Sequence, residues 1–417
     1  MPAKPVVVWI TSGYPYGAGE QFIETEVRHW AGFDGEVILL PENDMGKGAR
    51  PTPPRVRVST QLMDRWHRRR AQLAAAARAL VSPVWWRELG YLIGSRSVSA
   101  YRLKHAFFSV VRVQMELREL RAIASELGRP IDVVYSYWMS VGAFAGCLAR
   151  RKGIVRQVVS RAHRSEYYEE ARPAHYTALV RQFAPDIDTL AVISQDAADY
   201  APRYGFRPHQ VVISRLGVAR APRCQPSPVG ELSLLSVSTL TPVKQLPLMI
   251  EAIRRVAQAL PGVSITWHHA GDGPLRAEVE GLIAERLRLP NLRVELLGHL
   301  DNAALMAWYE THPVDLFLNS SAHEGVPVSI MEAMMRGVPA IAPDVGAIRE
   351  VVPADVLLPH DASAADLADR VVAFHERAKD ADLRDRAHDL VERDYHADTN
   401  YAAFVAMVSD RIEARCE

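Results

Sequence analysis

Cysteine is scarce: Cys147, Cys224 and Cys416 are the three present, and they lie far apart. An odd, scattered set neither frames a disulfide-stapled fold nor forms a zinc motif, and it suits a reducing compartment. Long apolar runs are lacking too. The stretch at residues 6–10 is too short for a signal-peptide core or a membrane span, so a cytoplasmic location is expected. Net charge is absent, with 49 Lys+Arg against 49 Asp+Glu, and nothing global points to nucleic acid. No repeat of fixed short period marks a solenoid. No convincing Asp-x-Asp pair offers a carboxylate grip for a cation. His268-His269 is a tempting metal pair, but neighbours on a strand point to opposite faces, so no metal site is expected there. What is present is ordinary: 48% apolar and 24% charged residues in a chain of 417, long enough for two domains.

Short β-branched runs alternate with stretches of helical period. The expected strands are 6–10, 36–40, 132–137, 156–160, 189–194 and 211–215, then 232–238, 264–270, 292–297, 315–318 and 339–342. Near-continuous apolar strands separated by helices predict parallel sheets covered on both faces. Residues 219–231, with Pro222, Pro226, Pro228 and Gly230, lack periodicity and read as an interdomain linker. The expected domains are therefore 1–218 and 232–392.

Residues 61–121 break the pattern. Twelve Lys/Arg face only Asp64, Glu88, Glu116 and Glu119, an excess of eight positive charges, with Trp66, Trp85, Trp86, Tyr91, Phe107 and Phe108 interleaved. Two readings are open. One is a pair of ordinary amphipathic helices with solvated Arg and core aromatics. The other is peripheral contact with an anionic membrane surface, which would place the chain at the inner membrane face.

The most informative stretch is 319–350. A strand ends in a polar loop, and Pro327 is suited to open a helix at its first position. The amides and positive dipole end of such a helix form a ready phosphate site. Glu324 lies before that helix and Glu332 inside it. At that separation they cannot share one proton, but they can hold two parts of an extended ligand, sugar hydroxyls and a ribose diol. Gly325 allows close backbone approach, and Gly337 with Pro339 ends the helix. Tyr137 and Trp138, at the end of an N-terminal strand, are candidate ligand contacts or core aromatics.

Glu324 and Glu332, with seven residues between them, resemble the E-x7-E signature of retaining glycosyltransferase family 4, and Ala333-Met334, Gly337-Val338-Pro339, Val345-Gly346 and Glu350 resemble the rest of its block. Gly271-Asp272-Gly273-Pro274 resembles its Gly-x-Gly-Pro turn, Gly298 its nucleobase-side loop, and Lys244 its phosphate-binding lysine. Gly17 and Gly19 resemble its N-terminal glycines facing the donor phosphates, and His163 its active-site histidine. The likeness spans nearly the whole chain except about 46–130. It implies an α/β protein of GT-B type, two doubly wound Rossmann-like domains facing a cleft, with the acceptor bound by the first domain and the donor by the second. Residues 395–401 resemble the crossover that returns a C-terminal helix, about 393–417, to the first domain.

The implied activity is metal-independent hexosyl transfer from a nucleotide sugar to an acceptor hydroxyl, with retention, in surface-polysaccharide or natural-product biosynthesis. No cofactor is implied beyond the nucleotide-sugar co-substrate, a UDP-sugar ahead of a GDP-sugar. The acceptor is a small molecule, a saccharide or a lipid-linked species. In this reading Glu324 binds donor hydroxyls and Glu332 the ribose. Lys244 and the Gly325–Val326 amides hold the diphosphate, and His163 serves the reaction centre, with Lys244, Glu324 and His163 as the catalytic set. The chain departs from the family at Thr239, where an Arg is usual; Arg161, Arg164 or Arg215 would have to replace it, and Arg161 is also a candidate acceptor contact. Leu216-Gly217-Val218-Ala219 replaces Asn-Gly-Val-Asp. A GT-B nucleotide-sugar epimerase and a non-catalytic nucleotide-sugar binder are the competing readings. Nucleotide release with and without acceptor separates the three.

Overall fold

The structure, a computed structural model, describes residues 4–17, 20, 22–43 and 48–414. The chain forms two compact units, Met1–Ser214 with Tyr401–Glu417, and Arg215–Asn400.

The N-terminal unit is built on β1 (Val6–Thr11), β2 (Glu36–Pro41), β3 (Val56–Val58), β4 (Ile131–Ser136), β5 (Val155–Ala162), β6 (Thr189–Val192) and β7 (Val211–Ile213). They pair in the order β3-β2-β1-β4-β5-β6-β7, every ladder parallel. Alternate side chains feed two separate cores. Val6, Val8 and Ile10 join one, and Val7 and Trp9 join the other, as the period of two requires. The strands are therefore mostly apolar, although β5 also carries Arg156, Gln157, Ser160 and Arg161.

Between β3 and β4 the chain makes four helices, Gln61–Trp66, Arg69–Leu80, Pro83–Gly94 and Ala100–Leu127, where the sequence suggested two. Their limits have local causes. The Ser82 hydroxyl accepts from Val84 N ahead of Pro83, the Ser99 hydroxyl accepts from Arg102 N, and Gly128 ends the last helix at φ 67°. The last helix buries Ala106, Val110, Val113, Leu117 and Leu120, a stripe of alternating four- and three-residue steps.

In the second core, Arg161 and Glu26 are wholly buried, with Nη2 3.3 Å from Oε2. Tyr135 Oη donates to Glu26 Oε1 at 2.8 Å and accepts from Arg161 Nε at 3.1 Å. Arg161 also donates to Ser214 O at 3.0 Å and lies 4.4 Å from the Phe404 ring centroid. Phe404 belongs to the C-terminal helix Ala397–Glu413, which from Tyr401 onward is part of this unit.

The C-terminal unit carries β8 (Glu231–Val237), β9 (Ser264–Ala270), β10 (Leu292–Gly298), β11 (Leu316–Leu318), β12 (Ala340–Pro343) and β13 (Leu357–Leu358), ordered β10-β9-β8-β11-β12-β13. The span 219–231 is strapped along this unit. Cys224 N donates to Arg336 O at 2.9 Å and Ser227 Oγ to Asp315 Oδ2 at 2.5 Å. Its prolines withhold backbone donors from a ladder, but its remaining polar groups pair laterally, which is why a segment without periodicity is nonetheless fixed.

In each sheet the first strand sits inside the sheet, so the chain turns to opposite edges on its two sides. Loops leaving the two neighbours at that reversal diverge and leave a crevice at the strands' C-terminal ends. The reversals lie between β1 and β4, and between β8 and β11.

Glu26→Ala should destabilise the protein by about 3–5 kcal/mol, because it leaves a buried guanidinium uncompensated. Chemical denaturation checks this; a loss below about 1 kcal/mol contradicts the pairing.

Candidate active site

At the reversal in the C-terminal unit, the loop after β8 delivers Lys244 and the loop after β11 delivers Glu324. Lys244 ends the short 3-10 turn Pro242–Lys244, and the chain then enters helix Leu246–Ala259 through Gln245, whose φ is 48°. Two contacts fix this turn to the other loop. Ala322 N donates to Val243 O at 2.8 Å, and Ser320 Oγ to Lys244 O at 2.8 Å.

Lys244 Nζ reaches Glu324 Oε1 at 2.5 Å. The same oxygen accepts from Ser321 Oγ at 2.6 Å and from Asn319 Nδ2 at 3.3 Å, which fixes the carboxylate's direction. Neither partner is fully buried, with side chains 21% and 12% exposed. Gly346 closes the back of the site. It sits at φ 58°, and a Cβ there would stand 1.9 Å from Glu324 O, so only glycine lets this loop pass.

Beyond Val326 the chain enters helix Val328–Met335, with Pro327 as the residue before it, one place earlier than the sequence suggests, and no side chain caps its start. Glu332 on this helix accepts from Asn302 Nδ2 at 2.7 Å, and burial raises its carboxyl above the usual range against the opposing influence of Asn302 and Arg336. Gly271 packs against the loop after β8 so closely that a Cβ would meet Ser238 O at 1.8 Å. Gly271 N donates to Gly298 O at 2.8 Å, and Leu240 N to Asp272 O at 3.1 Å. Gly271, Gly273 and Gly298 thus join the loops after β8, β9 and β10. His268 and His269 turn to different partners, Glu295 at 3.0 Å and Ser236 Oγ at 2.8 Å. Among the described residues no group of three or more His, Cys, Asp or Glu could hold a metal ion.

At the reversal in the N-terminal unit lies a cavity of about 610 Å³, entered by Ser12, Gly13 and Tyr16 after β1 and by Trp138 to Val141 after β4. Glu20 organises it. Its carboxylate accepts from Gly13 N at 2.7 Å, Tyr14 N at 2.6 Å and Ser12 N at 3.0 Å, and also from Trp138 Nε1. Glu20 lies in the loop that carries the N-terminal resemblance, yet only the glycines of that loop were site candidates. Gly17 lies in the same loop at φ 76°, and Gly19 falls outside the described residues.

Trp138 lines the cavity, while Tyr137 is wholly buried beneath it. The His163 ring stacks on Tyr137 at 4.8 Å and lies 4.6 Å from Trp138, next to the lining residues Ser165 and Glu166. Arg161 leaves the acceptor set. Its guanidinium is committed to Glu26 inside the core, so it cannot stand in for the arginine missing at Thr239 either. Arg215 is part of the C-terminal unit, 3.9 Å from Glu350.

The rest of the lining comes from the long helix of the 61–121 segment, as His105, Phe108, Ser109 and Arg112. Arg112 pairs with Glu42 on the cavity wall. Glu116 lies beneath, where burial first and the Glu42 charge next push its carboxyl well above the ordinary range.

A profile for "Glycosyl transferases group 1" matches residues 231–377. The Escherichia coli protein assigned as colanic acid biosynthesis glycosyltransferase WcaL is 30% identical over 294 residues, 66% of this chain and 70% of that one. The chain belongs to the glycosyl transferases group 1 family. It is a glycosyltransferase, and its two parallel-sheet Rossmann-like units are those of the GT-B fold. Sucrose-phosphate synthase of Thermosynechococcus elongatus shares that fold with TM-score 0.68 at 16% identity, over 99% of this chain and 100% of that one. So does Anabaena HepE in complex with UDP and glucose, with TM-score 0.65 at 13% identity over 97% and 100%.

Folded Glu116 keeps a proton that the unfolded carboxyl releases near its ordinary value of 4.5. Stability is therefore lost as pH rises from there towards the folded value. Glu116→Gln, which keeps a donor beside Glu42, should gain thermal midpoint over the wild type between pH 5 and pH 8. A constant difference across that range contradicts the assignment.

Proposed function

We propose that this glycosyltransferase moves a hexose from a UDP-sugar to an acceptor hydroxyl with retention of configuration, as a family 4 enzyme. The C-terminal unit binds the donor and the N-terminal cavity the acceptor. The observation that carries the reading is the meeting of Lys244 and Glu324 across the β8/β11 reversal, beside an uncapped helix start. A departing diphosphate needs positive charge, and Lys244 with the backbone N–H groups of Val326 and Val328 supplies it without a cation. Glu324, held by Asn319 and Ser321, accepts from donor hydroxyls once Lys244 turns to phosphate. Glu332, further along the helix, receives the ribose. In the front-face reaction the leaving phosphate takes the acceptor proton, so no protein nucleophile is required.

The N-terminal cavity has the opposite chemistry. Glu42 and Glu166 accept from hydroxyls, while Phe22 and Trp138 offer apolar faces to a sugar ring. Its volume suits a ligand of one or two sugar units. A saccharide acceptor, free or lipid-linked, in surface-polysaccharide biosynthesis agrees with the description of the WcaL relative.

Glu324→Gln should slow transfer about 100-fold while UDP affinity holds or tightens, because Lys244 loses a competing partner. Glu332→Ala should instead weaken UDP by about 1.5–3 kcal/mol. Lys244→Ala should cut kcat about 100-fold or more, EDTA should leave the rate unchanged, and NMR of the product should show the donor's anomeric configuration. Titration calorimetry and initial rates decide; equal losses of UDP affinity for both Glu variants contradict the division of roles. A rate lost on chelation and restored by magnesium contradicts the metal-free diphosphate site.

A further inference from the structure

Outside the N-terminal cavity, the helices of residues 61–121 form a second concavity. It has a volume of about 930 Å³ and is lined by seven Arg or Lys side chains and no Asp or Glu. Two of these cations are committed, Arg65 to buried Glu119 at 2.7 Å and Arg151 to Asp186. Among the described residues, Arg78, Arg87, Arg118, Arg121 and Lys152 make no ion pair, and all five are exposed. Cations this close repel one another, and nothing in the concavity's own lining compensates them.

The rim is apolar. Among the described residues, every exposed large hydrophobic side chain except Val229 and Val243 lies between Leu73 and Phe108. Leu80, Val81 and Trp86 stand together at the turn joining two helices, 53%, 79% and 58% exposed, with Trp86 Nε1 donating to Leu80 O at 2.9 Å. That turn is rigidly mounted. On the opposite face of the same helix, Glu88 is buried and accepts from Tyr176 Oη at 2.5 Å, Leu179 N at 3.1 Å and Gln182 Nε2 at 3.0 Å. Trp85 faces the core side, against Phe107.

We infer that this face docks on a lipid bilayer containing anionic phospholipid, with the Leu80–Val81–Trp86 tip in the headgroup zone and the unpaired cations on lipid phosphates. Each element fits that occupant. Tryptophan and short aliphatic groups favour the interface between headgroups and acyl chains, and adjacent basic residues gain from the surface potential of an anionic leaflet. A soluble polyanion would be met by the cations but would leave the apolar tip without a partner. The concavity shares no lining residue with the cavity proposed for the acceptor.

The experiment is co-sedimentation of the full chain with vesicles of phosphatidylcholine alone or with 30% phosphatidylglycerol, at about 50 mM and 500 mM NaCl. We expect most of the protein to pellet with the anionic vesicles at low salt, at least tenfold less at high salt, and almost none with neutral vesicles. Arg118→Glu with Arg121→Glu should reduce binding at least tenfold, and Trp86→Ser severalfold. Unchanged thermal midpoints confirm that the variants fold, and Arg87→Glu serves as an independent charge reversal. Absence of pelleting on anionic vesicles at low salt overturns the proposal, as does equal binding to neutral vesicles. Binding untouched by Trp86→Ser and matched by heparin also overturns it, in favour of a soluble polyanion.

Discussion

Each sheet of this protein is all parallel and begins on an interior strand, and the sites follow from that one constraint. A chain that starts inside a parallel sheet must cross to one edge and later return to build the other. The loops of the two strands flanking the reversal therefore part, and their backbone groups face solvent at the strands' C-terminal ends. In the C-terminal unit this brings Lys244 from one loop against Glu324 from the other. In the N-terminal unit it brings the Ser12–Tyr14 backbone and Trp138 onto one carboxylate, Glu20. Neither arrangement needs the whole fold to be special, only the strand order and a few side chains of the right length.

What distinguishes the two crevices is charge. The C-terminal crevice combines a lysine with an uncapped helix start and keeps its carboxylates tied by side-chain donors. The N-terminal cavity is lined by three carboxylates, aromatic faces and Arg172, with Arg112 held by Glu42. In the proposed function the first holds the diphosphate and the second a polyhydroxylated ring. Glycines contribute through contact distance: Gly346 and Gly271 admit backbone oxygens where any Cβ would collide.

Much of this was legible in the sequence, because buried parallel strands are mostly apolar and leave short runs that stand out. Every expected strand exists, most with ends shifted by one or two residues, whereas β3 and β13 escaped notice. They are edge strands of three and two residues, too short to carry a pattern. The motif residues of 319–350 were readable because spacing, glycines and proline all constrain one loop and one helix. Side-chain partners were not. Arg161 was a candidate to replace the arginine missing at Thr239, yet residues along a strand alternate faces, and its face is the inner one, against Glu26. Glu20 acts through backbone amides, which no residue pattern reveals. Helix Arg69–Leu80 buries only Ala75 and Ala79, and the basic surface of residues 61–121 obscured the turns between their helices.

The most direct test of the central claim is a crystal structure of the protein with UDP. The account predicts Lys244 Nζ about 3 Å from a diphosphate oxygen and no longer on Glu324, the ribose diol on Glu332, and the diphosphate at the start of helix Val328–Met335. Diphosphate bound in the N-terminal cavity beside Trp138, or in the C-terminal unit with Lys244 still paired to Glu324, would contradict it.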